Sequence, residues 1–155
     1  MVDIAFRDPH ATDVVQLALY MRRADVEELT AAGFTDLHAV VADGVKRSVW
    51  CKAAVIDGEV ACIFGVAPID GLLGERGAPW LLATPVMLRH RAALMRLAPG
   101  YIAAMLKTYP QLLNVVHAKN TKAVAWLKRM GFVLADAETY GPHGEPFHFF
   151  RMGAS

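Results

Sequence analysis

Long apolar runs, an excess of one charge and cysteine are what this chain has least of, and each shortage excludes something. No apolar run approaches the roughly 18 to 20 residues of a membrane helix, and the opening Met1-Val-Asp-Ile-Ala-Phe-Arg-Asp8 has neither the basic start nor the apolar middle of a signal peptide. The expectation is a cytoplasmic protein with no membrane partner. Sixteen basic side chains stand against 15 acidic ones, so no global field draws in nucleic acid, and aromatics interleaved with a basic groove are absent as well. The only cysteines, Cys51 and Cys62, lie on adjacent predicted strands and read as buried thiols in a reducing compartment. Six histidines form no H-E-x-x-H pair, and nothing has zinc-ligand spacing, so no metal is expected. A nucleophile elbow, a Walker loop and a dinucleotide fingerprint are also missing.

What is present is enough for one packed domain. The chain has 155 residues, 55% of them hydrophobic and 20% charged, and a length of that order buries about two thirds of its unfolded surface without staples. A short strand at Ile4–Arg7 precedes a helix capped by Thr12 or Asp13, and Asp25–Leu29 continues or restarts it until Gly33. Arg22, Arg23, Asp25, Glu27 and Glu28 crowd together there and read as a solvated helix face, with a substrate-amine site as the sharper alternative. Leu37–Val45 is a further amphipathic piece. Ser48–Ile56 and Glu59–Val66 form a hairpin about Asp57-Gly58, which supplies the positive φ angles of a type I′ turn. In that register Cys51, Ala53, Val55, Val60, Cys62 and Phe64 share a face, and the two thiols lie diagonally, a poor disulfide geometry.

A strand from Ala78 to Thr84 leads into a basic stretch with Arg89, His90, Arg91 and Arg96 and then a helix to Tyr109. An interior proline costs about 3 kcal/mol, so Pro99 is expected in the first turn of a new helix after a break near Leu97. The segment that organises the rest is the strand Gln111–His117, the helix after Asn120 and the strand that starts at Phe132. Asn120 suits an N-cap and Gly131 a left-handed C′ residue. Between them Ala123, Val124, Trp126, Leu127 and Met130 make one apolar stripe. A strand to about Ala137, a Gly141-Pro-His-Gly144 turn and a last strand Phe147–Met152 complete the chain, and no linker divides residues 1–155.

Asn120 and Ala123 with the Gly131-Phe132 pair resemble the last third of the GNAT N-acetyltransferase fold. Pro79-Trp-Leu-Leu-Ala-Thr84, Leu88-Arg-His-Arg91, Tyr109-Pro110, Asn114-Val-Val116, Trp126-Leu-Lys128 and Tyr140-Gly-Pro142 are similar to the GNAT-like proteins of tailed phages and prophages, which are grouped with internal virion proteins. The resemblance implies an α/β (α+β) domain with a mixed sheet of six or seven strands and helices on both faces. It implies acetyl-CoA as cofactor, its pantetheine between Trp80–Thr84 and Leu112–His117 with contacts at Leu82, Thr84 and Asn120. Partners would be an amine substrate or, if turnover is lost, phage virion proteins, through an apolar patch near Leu72, Leu73 or Phe147–Phe150.

Two parts of the family pattern are missing. Its phosphate loop, Arg or Gln-x-x-Gly-x-Gly or Ala, falls at Leu88-Arg-His-Arg-Ala-Ala93, where cations replace the glycines. Arg89, Arg91 and Arg96 are therefore the expected phosphate contacts, gripping with side chains. The tyrosine that protonates the leaving thiolate falls at Leu127, and the adjacent Trp126 has only an indole N–H, which cannot do this. Tyr101, Tyr109 and Tyr140 are substitutes if the fold brings one there. His117, Glu59 and Glu75 are the candidates for the base by residue type, and His117 is the catalytic candidate retained.

Overall fold

The computed structural model describes residues 3–71 and 73–153. In chain order it runs β1 (Ile4–Arg7), α1 (Ala11–Tyr20), α2 (Arg23–Ala31), α3 (Leu37–Arg47), β2 (Trp50–Ile56), β3 (Glu59–Pro68), β4 (Arg76–Ala83), α4 (Pro85–Arg89), α5 (Arg91–Thr108), β5 (Gln111–His117), α6 (Thr121–Arg129), β6 (Val133–Leu134), β7 (Glu138–Tyr140) and β8 (Glu145–Gly153). The strands form one mixed sheet in the order β1-β2-β3-β4-β5-β8-β6, with β7 also on β8. Eight strands appear where six or seven are expected, because the segment after Phe132 splits. Val133–Leu134 pairs with Phe150 and Arg151, whereas Glu138–Tyr140 pairs with Glu145–Phe147.

Helices cover both faces, as the apolar stripes require. Val14, Leu17 and Met21 of α1 and Val41 of α3 pack on one face with Cys51, Ala53, Val55, Val60, Ile63 and Leu82. On the other face Ile102 and Met105 of α5 and the Ala123–Met130 stripe of α6 meet Ala54, Cys62, Phe64, Val116 and Phe150. This corrects the expected hairpin face. Asp57 and Gly58 do have positive φ, 50° and 83°, and Ile56 does face Glu59, but a bulge then shifts the register so that Ala54, not Ala53, faces Cys62. One inserted residue sends every later side chain to the opposite face. Cys62 and Phe64 thus leave the face of Cys51, and the sheet itself separates the two thiols. Burial pushes both thiols up to about 12, which keeps them unreactive.

Three helix ends differ from expectation. His10, not Thr12 or Asp13, is the N-cap of α1. Asp13 sits one turn in and accepts from the His10 N–H at 2.8 Å while pairing with Arg7 at 2.6 Å. The break in the basic stretch is at His90, and Pro99 lies inside α5. Pro99 is on the exposed side of the helix, where water serves the carbonyl that a proline leaves without a partner. Asn120 occupies the N-cap position of α6 without capping it, since its side chain is committed elsewhere.

Candidate active site

The two edges of β4 are treated differently. On one side it is laddered to β3 from Gly77–Pro68 to Ala83–Cys62. On the other it is parallel to β5 and paired only at Arg76–Gln111 and Gly77–Leu112. Beyond Gly77 the strands part. The ring of Tyr109 lies where a Cβ on Gly77 would be, so the last rung requires glycine. The Ile69 N–H donates to the Arg76 carbonyl and the Thr84 N–H to the Ala61 carbonyl, which fixes the phase. Arg76, Ala78, Trp80, Leu82 and Thr84 turn their backbone groups to β3, whereas Pro79, Leu81 and Ala83 turn theirs into the wedge.

Side chains stand in for the missing rungs at both ends of the wedge. Near the apex Asn114 Nδ2 donates to the Pro79 carbonyl and its Oδ1 accepts from the Val115 N–H, each at 2.8 Å. At the mouth α2 bridges the strand ends. The Arg22 N–H donates to the Ala83 carbonyl at 2.7 Å, Asp25 Oδ2 accepts from the Ala83 N–H at 3.0 Å, and Glu28 Oε1 accepts from the His117 N–H at 2.9 Å. Between these two clasps no hydrogen bond among the described residues meets the N–H and C=O of Leu81. A cavity of about 850 Å³ occupies the gap and is lined from both faces of the sheet.

The polar group at the mouth is buried. Arg22 Nη1 donates to Asp25 Oδ1 at 2.8 Å, and Asn120 lies at 3.4 Å from Arg22 and 3.3 Å from both Asp25 and Glu28. Burial raises the Asp25 carboxyl above its usual range, although Arg22 beside it pulls the other way. Glu28 is pushed up to about 7, first by burial and then by the charge of Asp25, against the lowering bonds from His117 and Asn120. Its Oε1 takes both donors, no hydrogen bond among the described residues reaches Oε2, and the residue lines the cavity. The polar cluster that reads as a solvated helix face is thus divided. Arg23 and Glu27 do form an exposed pair at 3.1 Å, but Arg22, Asp25 and Glu28 turn inward. The sequence signal was Asp25 and Glu28 at i, i+3, a spacing that shares one helix face.

The other predicted residues are dispersed. Leu82 packs into the α1–α3 core and also lines the cavity, whereas Thr84 caps α4, its hydroxyl donating to the Val60 carbonyl at 2.7 Å. Both are out of phase with the wedge, and Leu81 is in phase. Arg91 lines the cavity, Arg89 pairs with Glu59 at 3.3 Å, and Arg96 is exposed away from the lining. A second cleft of about 310 Å³ continues from the mouth, and Arg23, Lys119 and Lys122 line it beside Pro85 and Leu88. The His117 ring lies against Phe147 and 3.2 Å from Glu145 Oε1, outside the lining. Glu75 is exposed near the apex end. Leu127 is core. Tyr101 and Tyr140 reach the cavity, and Tyr109 is buried at the apex.

A sheet whose central parallel pair opens beyond its first rungs, with helices on both faces, can be compared with known proteins. The chain matches no protein-family model and no curated protein by sequence. Among solved structures it is similar to a GNAT-family acetyltransferase from Bacillus anthracis (TM-score 0.72, 12% identity, 97% of this chain and 94% of that one). This is the GNAT acetyltransferase fold. Ard1 from Thermoplasma volcanium also shares it (0.70, 13%, 98% of each chain). So does the PaiA N-acetyltransferase from Thermoplasma acidophilum, solved in complex with coenzyme A (0.65, 12%, 98% and 99%). No helix among the described residues is long and apolar enough to cross a membrane.

Proposed function

We propose that the chain is an N-acetyltransferase that lays the pantetheine arm of acetyl-CoA in the wedge beside β4. The observation that carries this reading is the open Leu81 N–H and C=O between two clasped ends, a donor and acceptor pair suited to an amide arm. Acetyl-CoA supplies a thioester whose carbonyl carbon forms the new N–C bond as the C–S bond breaks. Glu28 Oε2 takes a proton from the acceptor ammonium, and a carboxyl poised near neutrality suits that task. The amine's second proton goes to the leaving sulfur, and Glu28 returns its own to solvent. Asn120 and the His117 N–H hold Glu28 in place. Arg91 at the start of α5, with Lys122 and the Glu145-paired Lys119 (3.1 Å) in the adjoining cleft, faces the phosphates in place of the absent glycine loop.

The missing glycines and Leu127 favour a second reading, in which a phage or prophage protein keeps the fold for virion assembly without turnover. Leu73 is fully exposed and Phe149 44% exposed, as an interface requires, but Phe147 and Phe150 belong to the core, and Leu72 lies outside the described residues.

Thermal unfolding with acetyl-CoA separates the two readings. Ligand at a hundred times its dissociation constant adds about 2.7 kcal/mol of stability, and Arg91→Ala weakens binding about ten-fold while Arg89→Ala leaves it in place. No shift at millimolar ligand favours assembly, and a shift that survives Arg91→Ala, Lys119→Ala and Lys122→Ala together overturns the phosphate assignment.

A further inference from the structure

The half of the cavity on the α2–α3 side has walls whose chemistry is selective. Phe34, just past α2, is 49% exposed although it lines the cavity. Trp80 also lines the cavity and is held in place, its Nε1 donating to Ser48 Oγ at 2.7 Å and its ring against Gly44 of α3. Tyr140 enters from β7, its ring 5.0 Å from that of Phe147. Leu29 and Val40 also line the cavity. Charge is sparse on this side. Asp43 and Arg47 line the cavity but pair with each other at 3.4 Å, and Asp25 is already paired with Arg22. The open carboxylate oxygen is that of Glu28.

We infer that the acceptor is a primary amine carried on a flat apolar body of the arylalkylamine type, its ring against Phe34, Trp80 and Tyr140 and its ammonium at Glu28. Burying an ammonium in an apolar cavity needs one matching anion, and an aromatic body gains from aromatic walls. A polyamine would leave its remaining ammonium groups unmatched, because Asp43 and Asp25 are taken. An acidic acceptor would meet Arg47 only by displacing Asp43. Phe34 is left 49% exposed in the cavity wall, and a bound ring would cover that surface.

This inference rests on the acetyltransferase reading for its chemistry, but binding tests it separately. Calorimetric titration at pH 8 with 2-phenylethylamine, without acetyl-CoA, should show binding that falls about ten-fold with 2-phenylethanol, which lacks the ammonium, and with spermidine. Phe34→Ala should weaken 2-phenylethylamine about ten-fold and leave the acetyl-CoA melting shift unchanged, and Tyr140→Ala is a second reporter of the same wall. Equal or tighter binding of spermidine, or no loss in either variant, overturns the inference. If acetyl-CoA shifts the melt and 2-phenylethylamine does not bind, the acceptor class is wrong and the acetyltransferase reading stands. The reverse pattern leaves the aromatic amine site in place and removes the acetyl transfer.

Discussion

One strand, β4, has two edges that teach different lessons. Toward β3 every alternate residue is bonded backbone to backbone, and the result is a sheet region buried on both faces. Toward β5 there are two rungs, and Asn114, Asp25, Glu28 and the Arg22 N–H meet the Pro79 carbonyl, both Ala83 backbone groups and the N–H groups of Val115 and His117, while Leu81 is left open. A ladder is closed by its own regularity. The open edge is instead held by a handful of polar groups, and a cavity is left between them.

That contrast can be broken at several points. The largest effect is expected from Glu28→Gln, which keeps the His117 N–H bond but accepts no proton. Turnover should fall by about a hundred-fold or more, and an unchanged rate in a steady-state assay would remove Glu28 from the mechanism. Next, Arg22→Ala leaves Asp25 as an uncompensated buried charge and should cost about 3 to 5 kcal/mol in urea unfolding. Arg23→Ala, on the exposed side of the same helix, should stay within about 0.5 kcal/mol, and equal losses would deny the inward and outward division of α2.

Glu28 also makes stability depend on pH. Its carboxyl titrates near 4.5 in the unfolded chain and about 7 in the folded one, so in that window the folded state holds the extra proton. Stability is therefore fully present below 4.5 and declines as pH rises to about 7, by about 3 kcal/mol in all. The groups that face this carboxyl are Asp25, Arg22, Asn120 and the His117 N–H, with Tyr140 across the cavity. Urea unfolding of Glu28→Gln should lack most of the decline, and an undiminished slope would assign it to other groups. The smallest effect is at the apex. Asn114→Ala frees the Pro79 carbonyl and the Val115 N–H for about 1 to 3 kcal/mol, and no loss would mean that the wedge needs no clasp there.

Most of the architecture was legible because it is written in local periods. The stripe of α6, the Asp57-Gly58 turn and the strand, helix, strand order around Asn120 each depend on neighbours within a turn or a hairpin. The site was legible to the level of the wedge and not to its phase. Leu82 and Thr84 were expected to contact the cofactor; their backbone groups bond β3, while Leu82 still lines the cavity. The signal that sets the phase was in the sequence: Pro79, inside a strand that reads as central, has no N–H to give and so marks the open edge and the residues in step with it. The hairpin bulge left no such mark, and with it went the facing of Cys62 and Phe64. Asn120 was legible as a polar residue at a helix start. Its true partners, Arg22, Asp25 and Glu28, are more than ninety positions away.

By itself the sequence determined the class of fold, the positions of the helices and most strands, and the absence of the glycine loop and the tyrosine at Leu127. These follow from spacing and residue type, which act over a few residues. The tertiary structure alone decided that Glu28 and not His117 lines the cavity, that Leu81 is the open rung, and that Arg91 lines the cavity while Arg89 makes an exposed pair with Glu59. Each depends on which groups are left unpaired after distant segments have docked, and that remainder is a property of the whole chain.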